Sequence, residues 1–408
     1  MKTPIDGLFD FDYELAINDK SADPYPFYHD LRQTSPLWRV PQGYWLVTTH
    51  ADSLALLCDP KCDHWGQKMS GESGDDSTRA ALAESLLALS PDRAGPVRLA
   101  VMNGLSCRNQ DELMREMSDR ADEILRSLRP RDAFDAVSDY AHPFTFGSIC
   151  RVMGVPSPDI PTLCETAAKL QGKYIKYVSG RFRSDLSDGP MKDFIDYFQK
   201  LLMSKRRDPG DDLISALIAQ LRTEQAAQAN DRLLLSLTLL LLYAGHQNMM
   251  NFIGNAILAL ARNPESCAPL RRNPELIDDL VIELLRFDSP VQHILLVARE
   301  EITLHGRSIK PGEIILVGVG AANRDPDAFA NPDELDIDRR PKTQLAFGAG
   351  AYRCIGARLA QIQAATVLDR FLAHIADFHV TQEQLRWHSS PIIQRGLQAL
   401  PLSVRWIN

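Results

Sequence analysis

Cys354 lies in the run Phe347-Gly348-Ala349-Gly350-Ala351-Tyr352-Arg353-Cys354-Ile355-Gly356, one cysteine bracketed by glycines and followed by the helical pattern Ala357-Arg358-Leu359-Ala360-Gln361. A sulfur so placed sits at a helix N-terminus, where partial positive charge favours a thiolate. That is the chemistry of a metal ligand. The glycines let the backbone turn tightly and approach a flat cofactor, and exposed amides can hydrogen-bond the sulfur and tune the metal. Upstream, Glu283-Leu284-Leu285-Arg286 puts an acid and a base three apart on one helix face, which suits a buried ion pair and equally an ordinary surface pair. A third stretch, Ala244-Gly245-His246-Gln247-Asn248-Met249-Met250-Asn251, continues a strongly apolar run. Glycine inside a helix costs about 1 kcal/mol relative to alanine, so Gly245 marks a close approach by a cofactor or tight helix packing, with the first favoured.

The spacing F-x-x-G-x-x-x-C-x-G resembles the heme-ligand loop of the cytochrome P450 family. The resemblance covers nearly the whole chain, since Glu283 and Arg286 are followed in matching order by Ala322-Asn323-Arg324-Asp325-Pro326 and by Asn331-Pro332-Asp333-Glu334-Leu335-Asp336-Ile337-Asp338-Arg339. It implies the cytochrome P450 fold, mainly α with a smaller β-rich region, as a single domain over residues 1–408. It also implies heme b with Cys354 as the axial thiolate on iron. Phe347, Gly348, Arg353 and Gly356 then surround the ligand, Ala244 and Gly245 lie against the heme, and Arg98 binds a propionate, for which a guanidinium's two parallel hydrogen bonds are suited. Glu283 and Arg286 become a structural network with Arg339. Where relatives carry further propionate partners, this chain has Ala94, Leu296 and Tyr352, which leaves Arg353 and Arg299 as candidates to compensate.

The central helix departs from the family pattern. Where an acid usually precedes a threonine, the chain has Gln247 and Asn248, which with Gly245 are its candidate catalytic residues. An amide donates and accepts hydrogen bonds but does not titrate near neutral pH. Three readings follow: protons are relayed by water or substrate, the enzyme accepts pre-reduced peroxide, or the chemistry is not ordinary hydroxylation. The relay ranks first because the cysteine loop is otherwise intact. His246 has a suitable unperturbed pKa near 6.5, but successive helical residues are about 100° apart, so a packed or surface histidine is favoured over a proton donor. By resemblance the substrate pocket draws on residues 63–90, 163–183, 290–296 and 391–393. Its named lining is Gln292, His293, Ile294, Ile392 and Ile393, which suits a medium-sized apolar substrate with a few polar handles, Gln292 and His293 being read equally as substrate contacts or as a cap on the strand. Lys173, Lys176, Arg181 and Arg183 form a basic stretch, read as a solvated face or as a dock for an acidic or carrier-protein-bound substrate.

The elements that must position these groups are legible in outline. Residues 44–49 and 313–319 have the β-branched and apolar content of strands, and most of the chain between them is helical in pattern. Residues 71–77 read as a loop, and 206–212 as a turn before a helix start. The run 233–243 is about half the roughly 20 residues of a membrane span and reads as a buried helix. With 408 residues, 45 % hydrophobic and 24 % charged, the composition is that of an ordinary globular protein. A net charge of −8 argues against nucleic acid as a partner. The seven cysteines, an odd number at irregular spacings, read as reduced thiols, and Cys58 with Cys62 supplies too few ligands for zinc. The first residues lack the pattern of a signal peptide, and the expectation is a soluble, cytoplasmic protein without a membrane anchor. The activity implied is monooxygenation, inserting oxygen from O2 into an organic substrate in specialised (secondary) metabolism, with electrons from a separate ferredoxin and reductase. Alternatives are peroxide-driven oxidation, oxidative coupling, nitric oxide reduction, or a heme ligand sensor without turnover.

Overall fold

The run at 233–242 carries leucine on nearly every side of a helix, and a helix without a polar face is stable only in an interior. In the computed structural model, which describes residues 23–41, 43–64, 86, 89, 91–106, 110–170, 189–221, 227–388 and 393–407, that run lies within a helix extending from Ala227 to Arg262. The helix is longer than its apolar stretch. By length and composition residues 231–262 are able to cross a membrane, and 67 % of their most apolar window is buried inside the protein. The helices that concern the site are α1 (Pro91–Ser106), α2 (His142–Met153), α3 (Ala227–Arg262), α4 (Leu276–Phe287) and α5 (Ala357–His374). The long α3 passes through the main core and packs on α2 and α5.

Strands β1 (Leu37–Arg39), β2 (Trp45–Val47), β3 (Cys62–His64), β4 (His293–Ala298) and β5 (Ile314–Gly318) form a five-stranded sheet in the order β1-β2-β5-β4-β3. Only β2 and β5 pair in parallel. Both strands expected from the sequence are present but shorter, because Thr48 and Thr49 lead into the helix His50–Cys58 and Val319 opens a short helical turn. At 206–212 the helix Pro190–Arg207 ends, and Asp212 caps the next helix by accepting the Ser215 amide at 2.9 Å. The expected loop at 71–77 and the basic stretch at 173–183 lie outside the described residues.

Glu283 and Arg286 are fully buried on α4. Arg286 Nε and Nη2 each donate to a Glu283 carboxylate oxygen at 2.7 Å. Its Nη1 donates to the carbonyls of Asn323 (2.9 Å) and Pro332 (2.7 Å), and Nη2 also reaches that of Glu334 at 3.1 Å. Arg339 Nε and the Asp336 amide complete the Glu283 carboxylate, each at 3.1 Å. Arg339 is therefore the third arginine, and Glu334 contributes a carbonyl. Leaving one partner of such a buried pair alone costs about 3–5 kcal/mol.

A second polar cluster joins α2 to α3. Thr145 Oγ1 lies 2.8 Å from His246 Nδ1, His246 Nε2 lies 3.1 Å from His142 Nδ1, and His142 Nε2 lies 3.2 Å from the Cys164 carbonyl. Donation in that order satisfies both imidazoles in the neutral form. Burial lowers the pKa of both, that of His246 well below its ordinary value with His142 adding to the effect. The unfolded chain therefore takes up protons that the folded chain refuses as pH falls through about 6.5, so stability is full above that pH and declines below it. We expect the unfolding free energy from urea titrations to fall from pH 7 to pH 5, by up to about 1.4 kcal/mol per pH unit for each histidine, and His246→Asn to reduce that slope. An identical slope in wild type and variant contradicts the burial of a neutral His246.

Candidate active site

Cys354 sits where a 3-10 turn at Gly350–Tyr352 passes into α5. Gly348 and Gly350 have φ of +67° and +57°, values that disfavour a side chain. At Gly350 a Cβ would also stand 2.7 Å from the Leu57 carbonyl oxygen. The protein itself requires these two glycines. Gly356 is different, with φ of −86° and no atom within 4 Å of a Cβ built there. Neither backbone nor packing asks for glycine at that position, which leaves open space two residues beyond the sulfur. The loop is closed by the Gly348 amide on the Leu345 carbonyl (2.8 Å) and the Cys354 amide on the Phe347 carbonyl (2.7 Å).

The Cys354 side chain has accessible surface yet is ringed by protein, as expected of a group lining an internal space. Burial pushes its thiol above the ordinary value, while the Gly356 amide on the sulfur and the guanidiniums of Arg98 and Arg353 pull it down. A metal ion on the sulfur completes what those donors begin, since a coordinating thiol is deprotonated outright. Other thiols have other surroundings. Cys164, pushed up by burial to about 11, holds its sulfur 3.3 Å from His142 Nε2, and Cys62, Cys150 and Cys267 are buried.

Asn323 ties this loop to the ion-pair network. Its carbonyl accepts from Arg286, its Oδ1 accepts the Leu345 amide at 2.7 Å, and its Nδ2 donates to Ser289 Oγ at 2.8 Å. The Arg98 Nη2 on α1 donates to the Arg353 carbonyl at 2.7 Å. Ile355 packs into the cluster of Val97, Leu233 and Leu237, beside Leu240, which brings the loop against α3. There Leu241, Ala244, Gly245 and Asn248 are only half-buried although their neighbours Leu242, His246, Gln247 and Met249 are buried. Spacings of three and four residues place that stripe on one helix face, a face the protein leaves partly uncovered.

The sequence profile of the Cytochrome P450 family matches residues 163–388, more than half of the chain. This chain belongs to the cytochrome P450 family. The biotin biosynthesis cytochrome P450 of Bacillus subtilis (strain 168) is 30 % identical over 400 residues, covering 95 % of this chain and 98 % of that relative. The cytochrome P450 monooxygenase PikC of Streptomyces venezuelae is 31 % identical over 398 residues, with coverages of 95 % and 92 %. The crystal structure of P450BioI in complex with hexadec-9Z-enoic acid ligated acyl carrier protein superposes with a TM-score of 0.82 at 28 % identity, covering 94 % of this chain and 98 % of that one. As a P450 the protein is a heme-iron oxidoreductase of the monooxygenase class, in a family that holds its heme through a cysteine thiolate. The residues present fit that group. A thiol with an amide donor and two guanidiniums, an unexplained glycine beside open space, and an uncovered, largely apolar helix stripe supply a ligand, charge neutralisation and a wall.

The structure brings Phe347, Gly348, Arg353, Cys354 and Gly356 into one loop, with Arg98 bonded to it and Ala244 and Asn248 on the neighbouring stripe. Several expectations need correction. At Gly245 a Cβ would meet Ile149 Cδ1 at 2.7 Å, so the packing of α2 on α3 explains that glycine. Gln247 is buried and donates through Nε2 to Asn251 Oδ1 at 3.2 Å, turned into the protein. Gln292 is fully buried, donating to the Ser289 carbonyl at 2.7 Å and accepting from Tyr28 at 3.1 Å. His293 is buried edge-on to Tyr28. Neither is free to meet substrate. Ile393 packs with Leu46, Leu295 and Leu316, whereas Ile294 joins Leu296 and Ala349 on the opposite side of the sheet. Alternation of side chains along β4 puts Ile294 and Leu295 on opposite faces, and among the described members of this set Ile294 is the one that shares a cluster with Leu345 and Ala349 of the cysteine loop. Ile392 lies outside the described residues, as does the Tyr352 side chain. Arg299 is paired with Asp63 at 3.4 Å, so of the two candidates to compensate it is Arg353 that acts on the sulfur, beside Arg98.

The sequence reading missed Asn323 as a positioning residue, and it missed Tyr243 and Gln394, which bond to each other, with Gln394 also bonded to Asn248. Asparagine at 323 was visible in the matching motif; Gln394 carried no local signal. For Gly245→Ala we expect a loss of about 1–3 kcal/mol from overpacking, recovered in part when Ile149→Ala is added, as read by urea unfolding of single and double variants. Unchanged stability with a loss of heme instead restores the cofactor explanation of this glycine.

Proposed function

We propose that this P450 inserts one oxygen atom from O2 into a medium-sized, largely apolar organic substrate in specialised metabolism, with Cys354 as the heme ligand. The observation that carries the reading is the Cys354 sulfur at the start of α5, facing the Gly356 amide in a loop fixed through Asn323 to a buried ion-pair network. When bound, heme would supply oxygen activation, with Cys354 as the residue that would hold its iron and donate electron density to it. The chain's own residues do the rest. The Gly356 amide and the Arg98 and Arg353 guanidiniums stabilise negative charge on the sulfur, and Arg98 is also the residue suited to a propionate. Leu241 and Ala244 keep the α3 wall apolar, while Asn248 offers hydrogen bonds without titrating. Burial and hydrogen bonding take Gln247 and His246 out of proton delivery, so protons arrive by water or by a substrate group.

Ile294 and Leu296 give the sheet side of the pocket an apolar character. Relatives named for polyketide and biotin biosynthesis, and the acyl-carrier-protein complex of P450BioI, support a biosynthetic substrate and a carrier-tethered one as a specific candidate. Electrons come from a separate ferredoxin and reductase, in the cytoplasm, to a single P450 domain spanning the chain. The absence of a carboxylate at position 247 favours one other reading, peroxide-driven oxidation.

Visible titration of the ferric protein against free acids, polycyclic compounds and carrier-protein thioesters is expected to show a shift toward high spin with one class. With that class, product should require O2, ferredoxin and reductase together and carry label from 18O2. Product from peroxide alone, with none from O2 and reductant, overturns the O2-dependent reading in favour of the peroxide one.

A further inference from the structure

The segment 393–396 returns to α3 and is fixed there from several directions. Arg395 forms a buried ion pair with Asp288 at 2.7 Å, lies over the Trp387 ring at 3.8 Å, and donates its amide to the Pro290 carbonyl at 2.8 Å. Its carbonyl accepts Asn255 Nδ2 at 3.2 Å. At Gly396 a Cβ would come within 2.2 Å of Asn251 Oδ1, so segment and helix touch without room for a side chain. Gln394 is thereby held over α3 and bridges two of its residues. Tyr243 O–H donates to Gln394 Oε1 at 3.1 Å, and Gln394 Nε2 donates to Asn248 Oδ1 at 2.7 Å.

This chain of donors has a direction. A primary amide presents an acceptor at one end and a donor at the other, and which end faces which neighbour follows from the surrounding network. The phenol of Tyr243 keeps its proton, because burial pushes its pKa above the ordinary value. In the structure Gln394 Oε1 faces the Tyr243 hydroxyl and Nε2 faces Asn248 Oδ1. Asn248 must then answer with Oδ1, which turns its Nδ2 hydrogens toward other neighbours. Asn248 is half-buried on the stripe that includes Leu241 and Ala244.

We propose that Gln394, oriented by Tyr243, is a positioning residue that holds Asn248 as a fixed hydrogen-bond donor toward the oxygen-binding side of the site. This inference rests on Cys354 being the heme ligand and on the α3 stripe lying on the oxygen-binding side. Its consequence is that the amide at 248 works through a set orientation, where an acid–alcohol pair works by proton exchange. The substrate class is constrained as well, because a ligand whose polar group bonds Gln394 releases Asn248 to rotate.

Carbon monoxide on the reduced, heme-loaded full-length protein is the probe, since a donor near its oxygen weakens the C–O bond and lowers the stretching frequency seen by infrared spectroscopy. Wild type should give one narrow band at the lowest frequency. Asn248→Val should raise it, and Gln394→Glu, which accepts from both neighbours and turns Asn248 Oδ1 outward, should raise it at least as far. Gln394→Leu and the single-atom change Tyr243→Phe should broaden or split the band. Bands unchanged in both Gln394→Leu and Tyr243→Phe, with thiolate-type visible absorption intact, overturn the positioning role alone. Loss of thiolate-type absorption from wild type overturns the Cys354 reading and this inference with it.

Discussion

A carboxylate and a guanidinium with no access to water must satisfy their hydrogen-bonding capacity inside the protein, and Glu283 with Arg286 does so by holding several segments of chain at once. The carbonyls at 323, 332 and 334, the amide of Asp336 and the side chain of Arg339 all converge on this pair. Such a pair is weak evidence for net stability, since hydrophobic replacements often do as well. Its effect is geometric. Asn323 accepts from Arg286 through its backbone and fixes Leu345 through its side chain, and Leu345 starts the loop whose left-handed glycines deliver Cys354 to the head of α5. The position of one sulfur thus follows from a charge pair on a different helix.

Opposite that loop, the protein has replaced titratable groups with amides. Gln247 bonds Asn251, Asn248 bonds Gln394, and Asn255 bonds the Arg395 carbonyl, so α3 and the segment at 393–396 are laced together by neutral donors and acceptors. His246 is turned onto α2 and held neutral by burial. Neutral networks in a low-dielectric interior are strong where their members are satisfied, which Asn255 Oδ1, buried without a hydrogen-bond partner among the described residues, is not, and they exchange protons poorly near neutral pH.

How much of this was legible in the sequence depended on whether the signal was local. The glycines around Cys354, the three-residue spacing of Glu283 and Arg286, and the unbroken leucine run each carry their meaning within a few residues, and each occupies the element it suggested. Arg339 was legible from its place in a motif. Which face of the strand at 293–298 meets the site was not legible, because alternation alone does not name the buried side; Gln292 and His293 consequently turned out to serve Tyr28. Gly245 carried two meanings, and only the position of Ile149 decides between them. Gln394 lies 146 residues from Asn248, and no periodicity links them. Contacts made by tertiary folding between chemically ordinary side chains leave no local trace.

The most direct measurement is the visible spectrum of the heme-loaded full-length protein beside Cys354→Ser and Cys164→Ser, with far-ultraviolet circular dichroism to confirm that each is folded. Thiolate-type absorption in wild type and Cys164→Ser, lost in a folded Cys354→Ser, is the result expected if the loop before α5 holds the iron. Thiolate-type absorption that survives in Cys354→Ser contradicts it.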